Sequence, residues 1–113
     1  MSASATIEVL AEPTRRQILD ALRAGEQPVN ALVARLDLSQ PAVSKHLRVL
    51  RDAGLVAVRP DGQRRLYHLC TEPLIELDVW LEPYRQMWRA SLDDLEQHLH
   101  EPQAEPRSRR KRR

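Results

Sequence analysis

The sequence predicts a mainly α-helical fold: a winged helix-turn-helix with a two-stranded β wing and a long terminal helix. Three observations predict it. Apolar residues recur at helical spacing in five separate stretches. Ser39-Gln40-Pro41 opens one of those stretches directly after another has ended. One turn signal, Asp61-Gly62, lies between two β-prone runs.

Each element has its own justification. Ala5 to Ala11 is expected as a short helix carrying Ile7 and Leu10. Pro13 opens a second helix at its first turn, where a missing N–H costs nothing. Ile18, Leu19 and Leu22 form its inward face, and Gly25 ends it. Val29, Leu32, Val33 and Leu36 mark one face of a third helix, whose start Pro28 blurs, and Asp37-Leu38 is a short turn. Ser39 is a good N-cap for a fourth helix, with Val43, Leu47 and Leu50 inward and Ala53-Gly54 as its stop. Leu55 to Arg59 and Arg64 to Cys70 are the strands of a hairpin with a basic tip. From Glu72 to about His100 a long amphipathic helix follows. Its stripe is Leu74, Leu77, Leu81, Tyr84, Trp88, Leu92, Leu95 and Leu99. Pro83 predicts a kink or break in it. Residues 1–101 are expected to form one domain, and residues 102–113, rich in Pro, Glu and Arg, a disordered basic tail.

Composition narrows the function. A chain of 113 residues holds one domain with a modest core. No apolar run approaches the roughly 20 residues of a membrane span, and Met1-Ser2-Ala3-Ser4 lacks the features of a secretory signal. Cys70 is the only cysteine, which excludes an internal disulfide; a cytoplasmic protein is expected. The net charge of +2 hides an asymmetry. Residues 35–65 carry seven basic side chains and three acidic ones, residues 66–101 two and eight, and residues 107–113 six basic ones. A basic middle beside an acidic helix suggests a polyanion-binding face and a separate face for another task.

Residues 29–54 have helix-turn-helix arithmetic: two short helices, a tight turn, and a serine cap on the second. With Val43, Leu47 and Leu50 inward, helical geometry turns Gln40, Pro41, Ser44, Lys45 and Arg48 outward. Gln pairs bidentately with adenine, Lys and Arg with guanine, and Ser adapts to several base edges, so this face suits the DNA major groove. Pro41 stiffens the helix entry and offers an apolar edge to a thymine methyl. The wing's Arg59, Arg64 and Arg65 are placed for phosphates or the minor groove. Ser39 and His46 complete the candidate DNA-binding set. For His46 the structural alternative is packing or capping against the preceding helix.

The stretches Glu12-Pro13-Thr14-Arg15-Arg16-Gln17-Ile18-Leu19, Leu38 to Val56, and Gly62-Gln63-Arg64-Arg65-Leu66-Tyr67 resemble the ArsR/SmtB family of bacterial repressors. The resemblance runs from about Leu10 to Leu99. It implies a homodimer built from the first and last helices, binding to a roughly palindromic double-stranded operator, and often autoregulation. Ile7 and Leu10 of the first helix and the stripe from Leu74 to Leu99 are therefore the expected dimer interface. The family's metal sensors carry a cysteine motif on the third helix. Here that stretch is Val29-Asn30-Ala31-Leu32-Val33-Ala34-Arg35, without cysteine. Asp78 is followed by Val79 and Trp80, which breaks the Asp-x-His pattern of other sensors. No metal or cofactor is expected.

Other features admit sharper and blander explanations. Cys70 is a thiol sensor or a small half-buried residue. Asp94, His98, His100 and Glu101 are ligand types, yet on one helix His100 points away from Asp94 and His98, and a polar helix end explains them equally. Trp80, Tyr84, Met87 and Trp88 belong to an interface or line a ligand pocket between subunits; any small-molecule effector is unknown. The arginine-rich tail is a counterion-releasing arm or a solubilising segment. No Gly-x-Ser-x-Gly or phosphate loop occurs, so an enzyme is not expected. A protein–protein adaptor is the alternative from another class, and the outward Gln, Ser, Lys and Arg disfavour it.

Overall fold

The computed structural model describes residues 2–100, with only the backbone of His100. Glu101 and the expected tail at 102–113 lie outside the described residues. Five helices and three strands follow in the order α1 (Ala3–Leu10), α2 (Pro13–Leu22), β1 (Gln27–Pro28), α3 (Val29–Leu36), α4 (Gln40–Asp52), β2 (Val56–Asp61), β3 (Arg64–Leu69) and α5 (Glu72–His100). The chain divides into two compact units, one ending at Trp80 and the other beginning at Leu81.

The helix ends have local causes. The Ser2 hydroxyl accepts the Ala5 N–H at 3.2 Å and starts α1. The Glu12 carboxylate accepts the N–H groups of Thr14 (2.6 Å) and Arg15 (3.2 Å), with Pro13 in the first turn of α2. These contacts satisfy N–H groups that have no partner within the helix. From α2, Arg15 and Arg16 reach back to the carbonyls of Val9 and Leu10 at 2.7 and 2.6 Å, capping the C-terminal end of α1 with cations. Helix α4 ends in a Schellman motif. Gly54, at φ 77°, donates to Arg51 O, and Leu55 donates to Leu50 O, both at 2.9 Å.

The core sits among α2, α3, α4 and the start of β2. Ile18, Leu32, Val43, Leu50 and Leu55 are fully buried, and Leu19, Leu22, Leu47 and Val56 nearly so. Val29, Val33 and Leu36 of α3 pack partly against them. Burying one such side chain stabilises by roughly 1.5–3 kcal/mol, so this seam holds α4 firmly and leaves its other side free. Thr6 is also fully buried, its hydroxyl donating to Ser2 O at 3.2 Å.

The sheet is larger than the expected two-stranded wing. Its order is β1-β3-β2, all antiparallel, with Gln27 opposite Tyr67 and Pro28 opposite Leu66. Pro28 blurred the start of α3 in the sequence because it belongs to this short edge strand and also precedes the helix as its N-cap. Pro60 lies in β2, the other edge, where a missing N–H removes no ladder bond. The hairpin turn is Gly62-Gln63, one residue later than the Asp61-Gly62 signal suggests, since Asp61 still pairs with Arg64. Gly62 has φ 66°, the positive value needed at the first central position of a type II′ turn.

Helix α5 keeps helical geometry through Pro83, so the break expected there does not occur. Pro83 withdraws one donor, and the carbonyl it would have served belongs to Val79, a residue 66% exposed and open to water.

Candidate nucleic-acid interface

The connection from α3 to α4 is three residues long, Asp37-Leu38-Ser39. Asp37 takes the left-handed conformation (φ 57°, ψ 47°) and its N–H donates to Val33 O at 3.0 Å. Asp tolerates this region better than most side chains, and it lets the chain reverse in one step. Ser39 then caps α4, its hydroxyl accepting the Ala42 N–H at 3.2 Å. Pro41 falls in the first turn as expected.

Above the buried Val43, Leu47 and Leu50, the side chains of Gln40, Pro41, Ser44, Lys45 and Arg48 are all exposed. Gln40, Ser44 and Arg48 form one row at four-residue spacing, and Pro41 and Lys45 the next. Pro41, Ser44, Lys45 and Arg48 line a shallow open hollow. His46 lies apart from this face. It is half-buried, and its Nδ1 is enclosed without a hydrogen-bond partner. Burial alone would raise the pKa of Glu12, but the N–H groups of Thr14 and Arg15 and the charge of His46 together hold it below the usual carboxylate value. That interaction places His46 near the α2 cap.

The wing's three arginines differ in their surroundings. Arg59 donates through Nε and Nη2 to the two oxygens of Glu26, each at 2.8 Å. Arg64 pairs with Asp61, directly opposite it in the ladder, at 3.0 Å. Arg65 points to the opposite side of β3 from Arg64, because successive strand residues alternate. It borders a shallow hollow with Val58, Arg59 and Pro60. Sequence reasoning placed all three arginines on the wing but missed Glu26, since nothing local marks it as a partner of Arg59.

The expected interface residues separate as well. Leu10 and Leu74 pack partly against the core of the first unit. Leu77 is half-buried, and Ile7 is 42% exposed. From Leu81 onward the stripe is exposed: Tyr84, Trp88, Leu92, Leu95 and Leu99 are each at least half accessible. On the polar side of the same segment, Glu82 is bonded to Arg85 and lies 3.8 Å from Arg89 and 3.4 Å from Gln86.

Cys70 is half-buried, and burial, followed by the nearby charge of Glu72, pushes its thiol up, which disfavours the reactive thiolate. Among the described residues no three His, Cys, Asp or Glu side chains converge as metal ligands; of the set considered from sequence, Glu101 and the His100 side chain lie outside those residues. Among the described residues, no helix is long and apolar enough to cross a membrane.

A capped reading helix with a polar outer face, followed by a basic hairpin, defines a winged helix-turn-helix DNA-binding protein. The chain belongs to the ArsR family of bacterial regulatory proteins, whose family description matches residues 12–58. It is 43% identical over 77 residues to the HTH-type transcriptional regulator Rv2034 of Mycobacterium tuberculosis, covering 68% of this chain and 72% of that one. It is 31% identical over 74 residues to the transcriptional repressor SdpR of Bacillus subtilis, covering 66% and 82%. Among solved structures it is similar to the ArsR-like transcriptional regulator from Rhodococcus sp. RHA1, with a TM-score of 0.67 and 28% identity over 88% of this chain and 93% of that one.

Proposed function

We propose that the protein is a cytoplasmic, homodimeric repressor that binds a roughly palindromic operator in double-stranded DNA, and that it regulates its own transcription. The outer face of α4 carries the reading. Five side chains suited to base edges and phosphates stand exposed on a helix whose orientation is set by three buried residues. In this arrangement Gln40, Ser44 and Lys45 read base edges, Arg48 and Arg65 meet phosphates, and Pro41 contacts a thymine methyl. The exposed stripe of α5 from Leu81 to Leu99 meets its counterpart in a second subunit, and Ile7 of α1 also belongs to the dimer interface. Dimerisation sets two reading helices at the spacing of two half-sites.

Operator binding needs no transition metal in this scheme, because α3 lacks the family's cysteine motif. A gel shift and footprint against the DNA upstream of the protein's own gene test the proposal. A protected, inverted-repeat site bound by two subunits is expected. Binding of equal strength to unrelated DNA of the same length would overturn sequence-specific repression. A chelator should leave the shift unchanged.

A further inference from the structure

Glu26 stands between Gly25 and β1, and its partner Arg59 lies 33 residues further along the chain. Both guanidinium contacts are 2.8 Å, a bidentate fork on a carboxylate. His68 Nδ1 is 3.6 Å from the same carboxylate, within reach of its charge but too far for a hydrogen bond. Register places Arg59 opposite Leu66 and Ala57 opposite His68, so Arg59 and His68 leave the sheet on one face. Because β3 lies between β1 and β2, the Glu26–Arg59 pair bridges from the segment entering one edge strand to the other edge strand. Arg59 is thus engaged on its own subunit. With Nε and Nη2 committed to Glu26, a phosphate could meet Arg59 only through its remaining Nη N–H groups, with a carboxylate close beside it.

We propose that Glu26 and Arg59 form a latch that positions the wing, so that Arg59 affects DNA binding through wing placement and Arg65 is the wing cation that meets the backbone. This rests on the assignment of the wing to DNA contact. Beyond the Pro28–Leu66 pairing only β2 and β3 continue, and a two-stranded ribbon holds its shape weakly; a bidentate tie from the middle of β2 to the entry of β1 limits how far the hairpin can swing. The side chains are 52% and 32% accessible, so the tie contributes modestly to global stability and acts mainly on the wing.

The test compares wild type with Glu26→Gln, Arg59→Gln, the double variant and Arg65→Ala. Each is titrated against operator and unrelated duplex over a salt series, and hydrogen exchange of residues 56–69 is followed in the free protein. The latch predicts that Glu26→Gln and Arg59→Gln each weaken operator binding by up to about fivefold. It also predicts that the double variant is no worse than either single one, that wing amides exchange faster in all three, and that the salt slope holds. Glu26→Gln is decisive, since removing a negative charge near DNA should tighten binding if charge alone mattered. Tighter binding by Glu26→Gln, with a salt slope reduced by about one in Arg59→Gln, would make Arg59 a phosphate contact and overturn the latch. Unchanged wing exchange in both single variants would overturn it equally. If wild type does not bind, or Arg65→Ala binds both duplexes as wild type does, the assignment of the wing to DNA fails, while the exchange data still decide the latch.

Discussion

Gln40, Lys45 and Arg65 carry different kinds of information about DNA. The first two stand on the exposed side of a helix fixed by Val43, Leu47 and Leu50. Arg65 stands on a strand beside a turn. Gln40→Ala or Lys45→Ala should cost roughly 1–3 kcal/mol on the operator and relax preference at particular base pairs. Arg65→Ala should weaken operator and unrelated DNA alike and reduce the salt slope by about one. A binding series on single-base operator variants separates the two. If Arg65→Ala alters base preference while Gln40→Ala and Lys45→Ala do not, the roles are reversed. Ser39 belongs to the same scale but acts on stability: Ser39→Ala removes the acceptor for Ala42 N–H, and urea unfolding should show a loss of about 1 kcal/mol.

At the scale of elements, Gly54 and Glu12 set the two ends of the scaffold that carries the reading helix. A Cβ at Gly54 would meet Pro73 Cγ at 3.6 Å, an ordinary contact, so space is not the obstacle. The positive φ of 77° is. Gly54→Ala should lower stability by roughly 1–2 kcal/mol, read as a fall in the denaturation midpoint with the slope unchanged. Glu12 introduces a pH dependence. Its folded pKa lies below the ordinary glutamate value of 4.5. The cap's contribution is therefore complete above that value and is lost as pH falls through the depressed one. The difference in stability between wild type and Glu12→Gln should shrink as pH is lowered below 4.5. A difference constant across that window would show that the carboxylate charge does not matter to the cap.

The whole molecule shows a division of labour along α5. Leu74 packs partly on the subunit's own core, whereas Trp88, Leu92 and Leu95 are 64%, 55% and 55% exposed. Burying the exposed half of each leucine against a second subunit gains on the order of 1 kcal/mol, which summed over the stripes of two subunits works against the cost of association. Leu92→Asp should convert dimer to monomer in sedimentation at micromolar concentration and weaken operator binding with it, while hydrogen exchange of the amides in α2, α3 and α4 changes little. A wild-type protein that sediments only as a monomer while remaining folded would end the dimer proposal.

The sequence by itself determined the parts that depend on neighbours in the chain. Helix faces repeat every 3.6 residues, so the buried seam of α4 and its outward Gln40, Ser44, Lys45 and Arg48 were legible from spacing alone. The Ser39 cap and the Gly54 stop were legible because each works through backbone groups within a few residues. Only the tertiary structure decided what lies far apart in sequence. Gln27-Pro28 became a third strand because β3 had an open edge at Leu66 and Tyr67. Arg59 found Glu26 because the register of the sheet brings positions 33 residues apart into contact. Leu10 and Leu74, periodic members of apolar stripes, turned partly into the subunit's own core while Leu92 and Leu95 stayed exposed. Periodicity tells which side of a helix is apolar; what covers that side depends on where the rest of the chain packs.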